Sequence, residues 1–193
     1  VDRIKDIVSS PLVGEFILID KTDDGFEINE EIPKLVHIKE HKNTFVNPAW
    51  NKGAQLSKFN KLMFINDDII TDFHGIIEKV HDEIKLDVGI IGLGNGCWDY
   101  TGGEFSIQPI HDLTTGFGCL FFIHKNAYKL IPNELKVWYG DNWLLSKIKR
   151  QGYKIVNWKV GGKVSETVSK REFNSVIQND VRLWENKYFN LKP

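Results

Sequence analysis

The feature that most constrains the fold is a run of large apolar residues that stops abruptly at polar ones. Residues 62–65 are Leu-Met-Phe-Ile, and Asn66, Asp67 and Asp68 follow them directly. A continuous apolar run of this length predicts a strand that is buried on both faces of a sheet. Asp67 and Asp68 are therefore expected at the carboxyl edge of that sheet, where open α/β folds bind ligands.

Two adjacent carboxylates at such an edge predict a metal site. A buried carboxylate is unfavourable unless a cation or hydrogen bonds compensate its charge. A hard divalent cation with oxygen ligands is the usual compensation, and such cations commonly also hold phosphates. Asp67 and Asp68 therefore suggest a site for a metal ion and a diphosphate. The alternative is a solvated turn in which the same residues cap the following helix.

The composition is that of an ordinary globular protein. The chain has 193 residues, enough for one domain with a sizeable core. Apolar residues make up 41% and charged residues 26%, and the net charge of −1 favours neither a nucleic acid nor an anionic membrane as a partner. The sequence shows no transmembrane run and no signal peptide. We therefore expect a soluble protein of the cytoplasm, or of the host cytoplasm if the chain is viral.

Apolar periodicity predicts an alternation of strands and helices. This alternation favours a mostly parallel sheet with helices on its faces. The glycine-rich residues 92–118 interrupt it and are expected to form loops that line a cleft. The expected strands are 14–20, 34–38, 61–66, 87–92, 119–123 and 154–156, and the expected helices are 2–10, 48–57, 73–85, 141–151 and 171–188.

Several short motifs accompany these elements in a fixed order. They are a strand that ends in aspartate, an Asn-x-Gly helix start, the acidic triplet, a glycine-rich turn, and an aspartate that opens a helix leading to Gly-Tyr. Across about residues 14–158, this ordered set resembles the nucleotide-sugar-dependent glycosyltransferases of the GT-A fold, especially the inverting family 2. The motifs are Asp20, Asn51-Lys52-Gly53, Asn66-Asp67-Asp68, Gly116-Phe117-Gly118, Gly140-Asp141 and Gly152-Tyr153.

The resemblance implies a fold, a domain division and an activity. The fold would be α/β of the GT-A, Rossmann-like type, with a mostly parallel central sheet flanked by helices and a glycine-rich region on the acceptor side. A single domain would span residues 1–193, with a nucleotide-sugar-binding half at about 14–110 and an acceptor-side half at about 111–193. The activity would be transfer of a sugar, with inversion, from a nucleoside diphosphate donor to a carbohydrate hydroxyl. A UDP-sugar is the first donor expected.

The resemblance also implies a metal ligand and a catalytic base. Asp68 takes the position of the residue that holds Mn²⁺ or Mg²⁺, a cation that stabilises the departing diphosphate. Asp141 takes the position of the base that removes the proton of the acceptor hydroxyl. The family often supplies a late histidine to the metal, but no histidine follows His124 here, and Lys163 stands in that region. Lys163 would then neutralise phosphate directly.

Three further residues are expected in the donor site because of the same resemblance. Asp20 would contact the nucleobase, and Asp67 would contact the ribose or the donor sugar. Asn51 belongs to the helix start that precedes the acidic strand. Two of the carboxylates also have a plainer interpretation, in which Asp20 ends a strand and caps a turn and Asp141 is a helix N-cap.

Other functional classes fit parts of the pattern. A sugar-nucleotide pyrophosphorylase also uses an α/β sheet and metal carboxylates, but it usually opens with a glycine-rich basic loop that is not visible here. A carbohydrate- or nucleotide-binding domain without activity is a further alternative, because Asn66 replaces the first carboxylate of the acidic motif. Within the glycosyltransferase hypothesis, His111 and Asp112 are the next candidates for the base if Asp141 is not.

Overall fold

Helices and strands alternate along the chain, as the apolar periodicity predicts. The computed structural model describes residues 1–22, 27–110, 114–148, 152–162 and 171–189. None of the helices within these ranges is long and apolar enough to cross a membrane. The helices are α1 (Asp2–Ser9), α2 (Val46–Leu56), α3 (Phe73–His81), α4 (Gly140–Lys147) and α5 (Asn174–Leu183), which continues into a π-helical turn (Trp184–Tyr188). The strands are β1 (Phe16–Asp20), β2 (Leu35–Lys39), β3 (Lys61–Ile65), β4 (Ile69–Ile70), β5 (Ile90–Leu93), β6 (Ser106–Pro109), β7 (Leu120–His124), β8 (Tyr153–Val156) and β9 (Gly161–Gly162).

Helix α3 shows how the local sequence sets one of these elements. Its N-cap is Asp72, whose Oδ1 accepts a hydrogen bond from the Gly75 N–H at 2.9 Å. Apolar residues recur on one face of the helix, and Ile76 and Val80 are fully buried there. The helix predicted at 73–85 is confirmed, with an earlier end at His81.

The strands form one five-stranded sheet and two two-stranded sheets among the described residues. The order in the five-stranded sheet is β3-β7-β5-β8-β6. Only β5 and β8 run parallel in it, whereas β3–β7, β7–β5 and β8–β6 are antiparallel. β1 and β2 pair in parallel, and β4 pairs antiparallel with β9. The fold is therefore α/β, with a mixed central sheet flanked by helices.

The mostly parallel central sheet expected from the sequence is not confirmed by this pairing. Residues 92–118, which were expected to be loops alone, contain strand β6. They also bring the chain back in the reverse direction, so that β7 lies antiparallel between β3 and β5. An apolar run such as β7 reads the same in both directions, so its pattern does not reveal its orientation.

Strands β3 and β7 carry apolar side chains on both faces of the sheet. On β7, Leu120 and Phe122 join the apolar cluster on the side of α1 and α3. Phe121 and Ile123 join the cluster on the opposite face, which also includes residues of α2 and α4. The residues of β3 alternate between the two clusters in the same way. The prediction that residues 62–65 form a strand packed on both faces is thus confirmed.

The Asn51 side chain, on α2, forms hydrogen bonds with the segment that follows β7. Its Nδ2 donates to the Ile131 carbonyl oxygen at 2.8 Å, and its Oδ1 accepts from the Ile131 N–H at 2.9 Å and from the Tyr128 hydroxyl at 3.0 Å. The residue is only 8% exposed, so water does not readily replace these bonds. The carboxamide that was expected in the donor site is therefore bound by the protein itself.

The substitution Asn51→Ala is expected to lower the free energy of unfolding by about 2–4 kcal/mol. The cause is that both backbone groups of Ile131 would lose their partner in a buried place. Gln55→Ala, at an exposed position of the same helix, is the matched control and should change the free energy by no more than about 0.5 kcal/mol. Urea unfolding of the three proteins measures the difference, and equal values for the two variants would contradict the role given to Asn51.

Candidate active site

The two carboxylates in the acidic turn after β3, those of Asp67 and Asp68, differ in their exposure to solvent. The Asn66 N–H donates to the Cys119 carbonyl oxygen at 2.9 Å, so the turn is tied to the residue that precedes β7. Asp67 is exposed, and Asp68 is half-buried. Asp68 Oδ1 is buried and has no hydrogen-bond partner within the described residues. A buried carboxylate oxygen without a donor is unfavourable, and a bound cation would relieve this.

Burial is the main cause of the raised pKa of Asp68. The negative charge of the neighbouring Asp67 raises that pKa further, and the positive charge of Arg3 opposes the rise. The Arg3 guanidinium, on α1, also donates to the Asp67 backbone carbonyl. Sequence reasoning missed Arg3, because the residue lies far from the acidic motif in the chain and no local pattern marks the contact.

Asp141 lies in the first turn of α4, with its carboxyl group against Gly118. Its Oδ1 accepts from the Asn142 N–H at 2.9 Å, and a Cβ built on Gly118 would come within 3.0 Å of its Oδ2. Burial raises the pKa of Asp141, although N–H groups that include that of Gly118 act in the opposite direction. The N-cap of α4 is Tyr139, in a left-handed conformation with φ of 63°, so Asp141 is not the N-cap residue.

A buried carboxylate on α5 holds the segment that leads into Asp141. Asp180 is fully buried and accepts hydrogen bonds from the backbone N–H groups of Lys136 at 3.0 Å, Val137 at 2.7 Å and Trp138 at 3.0 Å. Such a cluster of donors satisfies a buried carboxylate without a cation. Asp180 thereby fixes the path of the chain just before α4. No sequence pattern singles out Asp180, since it has the position of an ordinary polar residue in an amphipathic helix.

Cys119 lies near both carboxylates, because its carbonyl oxygen accepts from the Asn66 N–H, two residues before Asp68, and Asp141 lies against the adjacent Gly118. Its thiol is half-buried and reduced. Burial, followed by the charges of Asp68 and Asp141, raises the pKa of the thiol to about 11. Two carboxylates from distant parts of the chain therefore lie near one thiol. The structure thus brings together the two residues to which the sequence assigned the metal and the base.

Asp20 ends β1, as predicted, and its carboxylate is bound within the protein. It accepts from the Thr22 N–H at 3.0 Å and from the Thr22 hydroxyl at 2.6 Å, and His37 Nε2 lies 3.2 Å from its other oxygen. This geometry is that of a turn cap, the plainer of the two roles considered for Asp20. The ammonium group of the next residue, Lys21, donates to the Phe45 carbonyl oxygen at 2.6 Å. Burial lowers the pKa of Lys21, whereas the charges of Glu40 and Asp67 raise it.

The remaining residues expected at the site fall into two groups. Lys163, His111 and Asp112 lie outside the described residues. Asn51 is described, but its carboxamide holds the segment after β7. No group of three or more His, Cys, Asp or Glu side chains in the described ranges is arranged to hold a metal ion. Asp68 is thus the ligand candidate that the geometry supports best.

Comparisons with known proteins give a structural likeness only. Neither a comparison with models of protein families nor one with curated proteins finds a match. Among solved structures, the chain is similar to the crystal structure of HddC from Yersinia pseudotuberculosis, with a TM-score of 0.53 and 15% sequence identity. The match covers 83% of this chain and 77% of that chain. At this identity the likeness concerns the fold alone, and it agrees with an α/β architecture.

Asp68→Asn should stabilise the protein at neutral pH and have little effect in acid. Asp68 has a folded-state pKa above its ordinary value of 3.8, so the folded protein loses stability as the pH rises from about that value through the raised pKa. Asparagine has no charge and avoids this loss. Melting temperatures at pH 3.5 and pH 7.5 measure the effect.

The exposed Asp87 provides the control. Asp87→Asn should change the melting temperature only slightly at either pH, because a substitution at an exposed surface position usually has little effect on stability. A larger stabilisation of Asp68→Asn at pH 3.5 than at pH 7.5 would contradict the raised pKa.

Proposed function

We propose that this protein is a metal-assisted glycosyltransferase of GT-A-like architecture. It would transfer a sugar, with inversion, from a nucleoside diphosphate sugar, in the first place a UDP-sugar, to an acceptor hydroxyl. The observation that carries the proposal is that Asp68 and Asp141 both lie near Cys119, since Asn66, two residues before Asp68, donates to its carbonyl oxygen and Asp141 lies against Gly118. Both carboxylates have a raised pKa, and Asp68 has a buried oxygen without a hydrogen-bond partner among the described residues.

Asp68 is the residue that would hold the cation. A single buried carboxylate oxygen without a donor fits a hard divalent ion such as Mn²⁺ or Mg²⁺. The described residues supply no cluster of three ligands, so diphosphate oxygens and water would complete the coordination. When bound, such a cation stabilises the negative charge of the departing diphosphate as a Lewis acid. The neighbouring Asp67 is exposed, and it would contact the ribose or the donor sugar.

Two cationic side chains beside the acidic turn support an anionic ligand there. The Arg3 guanidinium donates to the Asp67 carbonyl oxygen. The negative charge of Asp67 raises the pKa of Lys21. Burial of Lys21 makes its charged form less favourable, and a bound diphosphate would reverse this effect. These two residues join Lys163 as candidates for neutralising phosphate.

Asp141 suits the part of a general base. A helix N-terminus stabilises an anion and would lower its basicity, but burial outweighs that effect and raises its pKa. A raised pKa brings a carboxylate closer to the range in which it accepts a proton efficiently. In the proposed step, the acceptor oxygen forms a bond to the anomeric carbon, and the bond from that carbon to the diphosphate breaks. The bonding electrons leave with the diphosphate, and the hydroxyl proton goes to Asp141.

Nucleotide binding is expected to depend on Asp68. Calorimetry with UDP and GDP, with and without Mn²⁺, should show tighter binding in the presence of the metal. Asp68→Ala should weaken the metal-dependent binding at least about tenfold, and Asp67→Ala should weaken it less. Asp87→Ala is the matched surface control. If no nucleoside diphosphate binds at millimolar concentration with metal present, the proposal is wrong.

Turnover is expected to depend on Asp141. Asp141→Asn keeps the shape of the side chain but cannot accept the proton, so the release of UDP from UDP-sugars should fall by about 10²–10⁴-fold. The affinity for the donor and the melting temperature should change little. Asn142→Ala, at the next position of α4, is the control and should retain turnover.

Two outcomes of the same assays would favour the other classes. Formation of sugar 1-phosphate and UTP only when pyrophosphate is added would identify a pyrophosphorylase. Metal-dependent binding of the nucleotide without any turnover, with all of a set of glycan acceptors, would identify a binding domain.

A further inference from the structure

Asn47, in the first turn of α2, is fully buried and lies against the residue that precedes Asp141. A Cβ built on Gly140 would overlap the Asn47 Oδ1 atom, so only glycine fits at position 140 while Asn47 holds its place. The Asn47 side chain is therefore in contact with the first residue of α4. A polar group packed this closely beside a candidate base is a candidate for positioning that base.

Asn47 also forms hydrogen bonds with the segment that leads into α4. Its backbone N–H donates to the Lys136 carbonyl oxygen at 3.0 Å, and its Nδ2 donates to the Trp138 carbonyl oxygen at 3.0 Å. Asp180 accepts from the N–H groups of the same two residues. The peptide groups of this segment are therefore held by α2 on their carbonyl side and by α5 on their N–H side.

The Trp138 carbonyl precedes a residue with an unfavourable backbone conformation. Tyr139 has a φ of 63°, in the left-handed region that residues with a Cβ rarely adopt. Rotation of the peptide group between Trp138 and Tyr139 by half a turn would bring this φ to a negative value and relieve the strain. The same rotation would turn the Trp138 carbonyl away from Asn47. The hydrogen bond from Asn47 therefore opposes the rotation, and with it a displacement of Asp141.

Trp50, one turn further along α2, connects the same helix with the Asp141 carboxyl group. A Cβ built on Gly118 would lie 3.1 Å from Trp50 Cη2 and 3.0 Å from Asp141 Oδ2. A Cβ built on Gly140 would lie 2.9 Å from Trp50 Cζ3. The indole thus packs against both glycines that border the carboxyl group. A movement of the chain at Gly140 would change where the carboxyl group meets Gly118.

The Asn47 side chain keeps this place although one of its atoms lacks a hydrogen bond. Its Oδ1 is buried and has no partner among the described residues. The opposite orientation of the carboxamide would be worse, because it would place an oxygen against the Trp138 carbonyl oxygen, which cannot donate. A side chain that served packing alone would avoid a buried oxygen without a donor.

Three buried side-chain atoms in the described part of the chain have no hydrogen-bond partner, and all three lie near the candidate site. Asp68 Oδ1 belongs to the proposed metal ligand, and Asn47 Oδ1 lies against Gly140. The third atom, Trp98 Nε1, would lie 2.7 Å from a Cβ built on Gly116, in the glycine-rich turn before β7. Buried polar groups without partners are rare, and strain that collects in one place is typical of functional sites.

We propose that Asn47 is a positioning residue for Asp141. Its carboxamide fixes the Trp138 peptide group and the start of α4, and it thereby keeps the Asp141 carboxyl group in place for the acceptor hydroxyl. The inference rests on the proposed function, in which Asp141 is the base. Because Asn47 acts through the place of Asp141, its loss should lower turnover much more than the affinity for the donor.

Two substitutions of Asn47 test the inference. Asn47→Ala removes the carboxamide, and Asn47→Ser keeps a polar group that is too short to reach the Trp138 carbonyl. Asn51→Ala is the control for lost stability, because it removes a buried carboxamide of the same helix whose hydrogen bonds go to Ile131. Melting temperatures of all the variants set a common temperature at which each is folded.

NMR spectra supply a readout that needs no assay of activity. In both Asn47 variants the titration midpoint of the Asp141 carboxyl carbon should move toward the ordinary value of 3.8 by about half a unit or more, because a displaced carboxyl group is less buried. The scalar coupling between the amide and α protons of Tyr139 should rise as its φ becomes negative. Asn51→Ala should leave both signals unchanged.

Turnover supplies the second readout. In the assay of UDP release, Asn47→Ala should lower kcat by about 10- to 10²-fold, while KM for the donor changes less than about threefold. Asn47→Ser should change kcat and KM in the same way. Asn142→Ala again serves as the control that retains kcat.

Unchanged Asp141 and Tyr139 signals in both Asn47 variants would overturn the inference and leave the proposed function untouched. Normal kcat per folded molecule in both variants would also overturn it, because Asn47 would then serve stability alone. If the wild-type protein releases no UDP with any donor, the proposed function fails. The NMR signals then decide by themselves whether Asn47 positions Asp141.

Discussion

The pairing of β7 with both β3 and β5 is the interaction on which the candidate site depends. β7 is buried along almost its whole length and supplies apolar side chains to both faces of the sheet. Just before β7, Gly118 lies against Asp141, and the Cys119 carbonyl oxygen accepts from the Asn66 N–H. The register of β7 therefore sets where both carboxylates lie. A shift of that register by one residue would turn its apolar faces around as well, so packing protects the geometry of the site.

The two site carboxylates differ from the structural one in how their charge is compensated. Asp180 is fully buried, yet three backbone N–H groups surround its carboxylate. Asp68 has one oxygen without a partner in the described part of the chain, and its pKa is raised. A protein that only needed stability at this place would gain by replacing Asp68 with a neutral residue. Strain of this kind is typical of sites that bind a ligand or carry out chemistry.

The sequence predicted the elements better than their arrangement. Buried runs and amphipathic periods are local, so the strand at residues 62–65 and the helix beginning at Phe73 were found close to their observed bounds. Strand direction is not local, and the antiparallel course of β7 was missed for that reason. β6 was hidden in a glycine-rich segment, because its four residues include only one large apolar side chain besides a terminal proline.

The candidate site shows the same limit. Asp68 and Asp141 were identified because motifs in the chain mark them, and the structure brings both to Cys119. Arg3 and Asp180 were missed, because their contacts join segments far apart in sequence. Asn51 was assigned to the donor site from its motif, whereas its carboxamide serves the packing of the segment after β7. The motifs therefore marked residues that lie near one another in the fold, whereas contacts between distant segments could not be predicted from them.

One edge of β1 and one edge of β3 pair with no other strand in the described part of the chain, which affects how the protein behaves at high concentration. An unpaired strand of apolar residues is a template for pairing with the same strand of another molecule, and natural proteins usually protect such edges with charges, prolines or bulges. β1 has none of these before its last residue, Asp20, and β3 carries only Lys61 at its start. An edge of this composition favours pairing between molecules, so self-association and ordered aggregation would increase with the concentration of the protein.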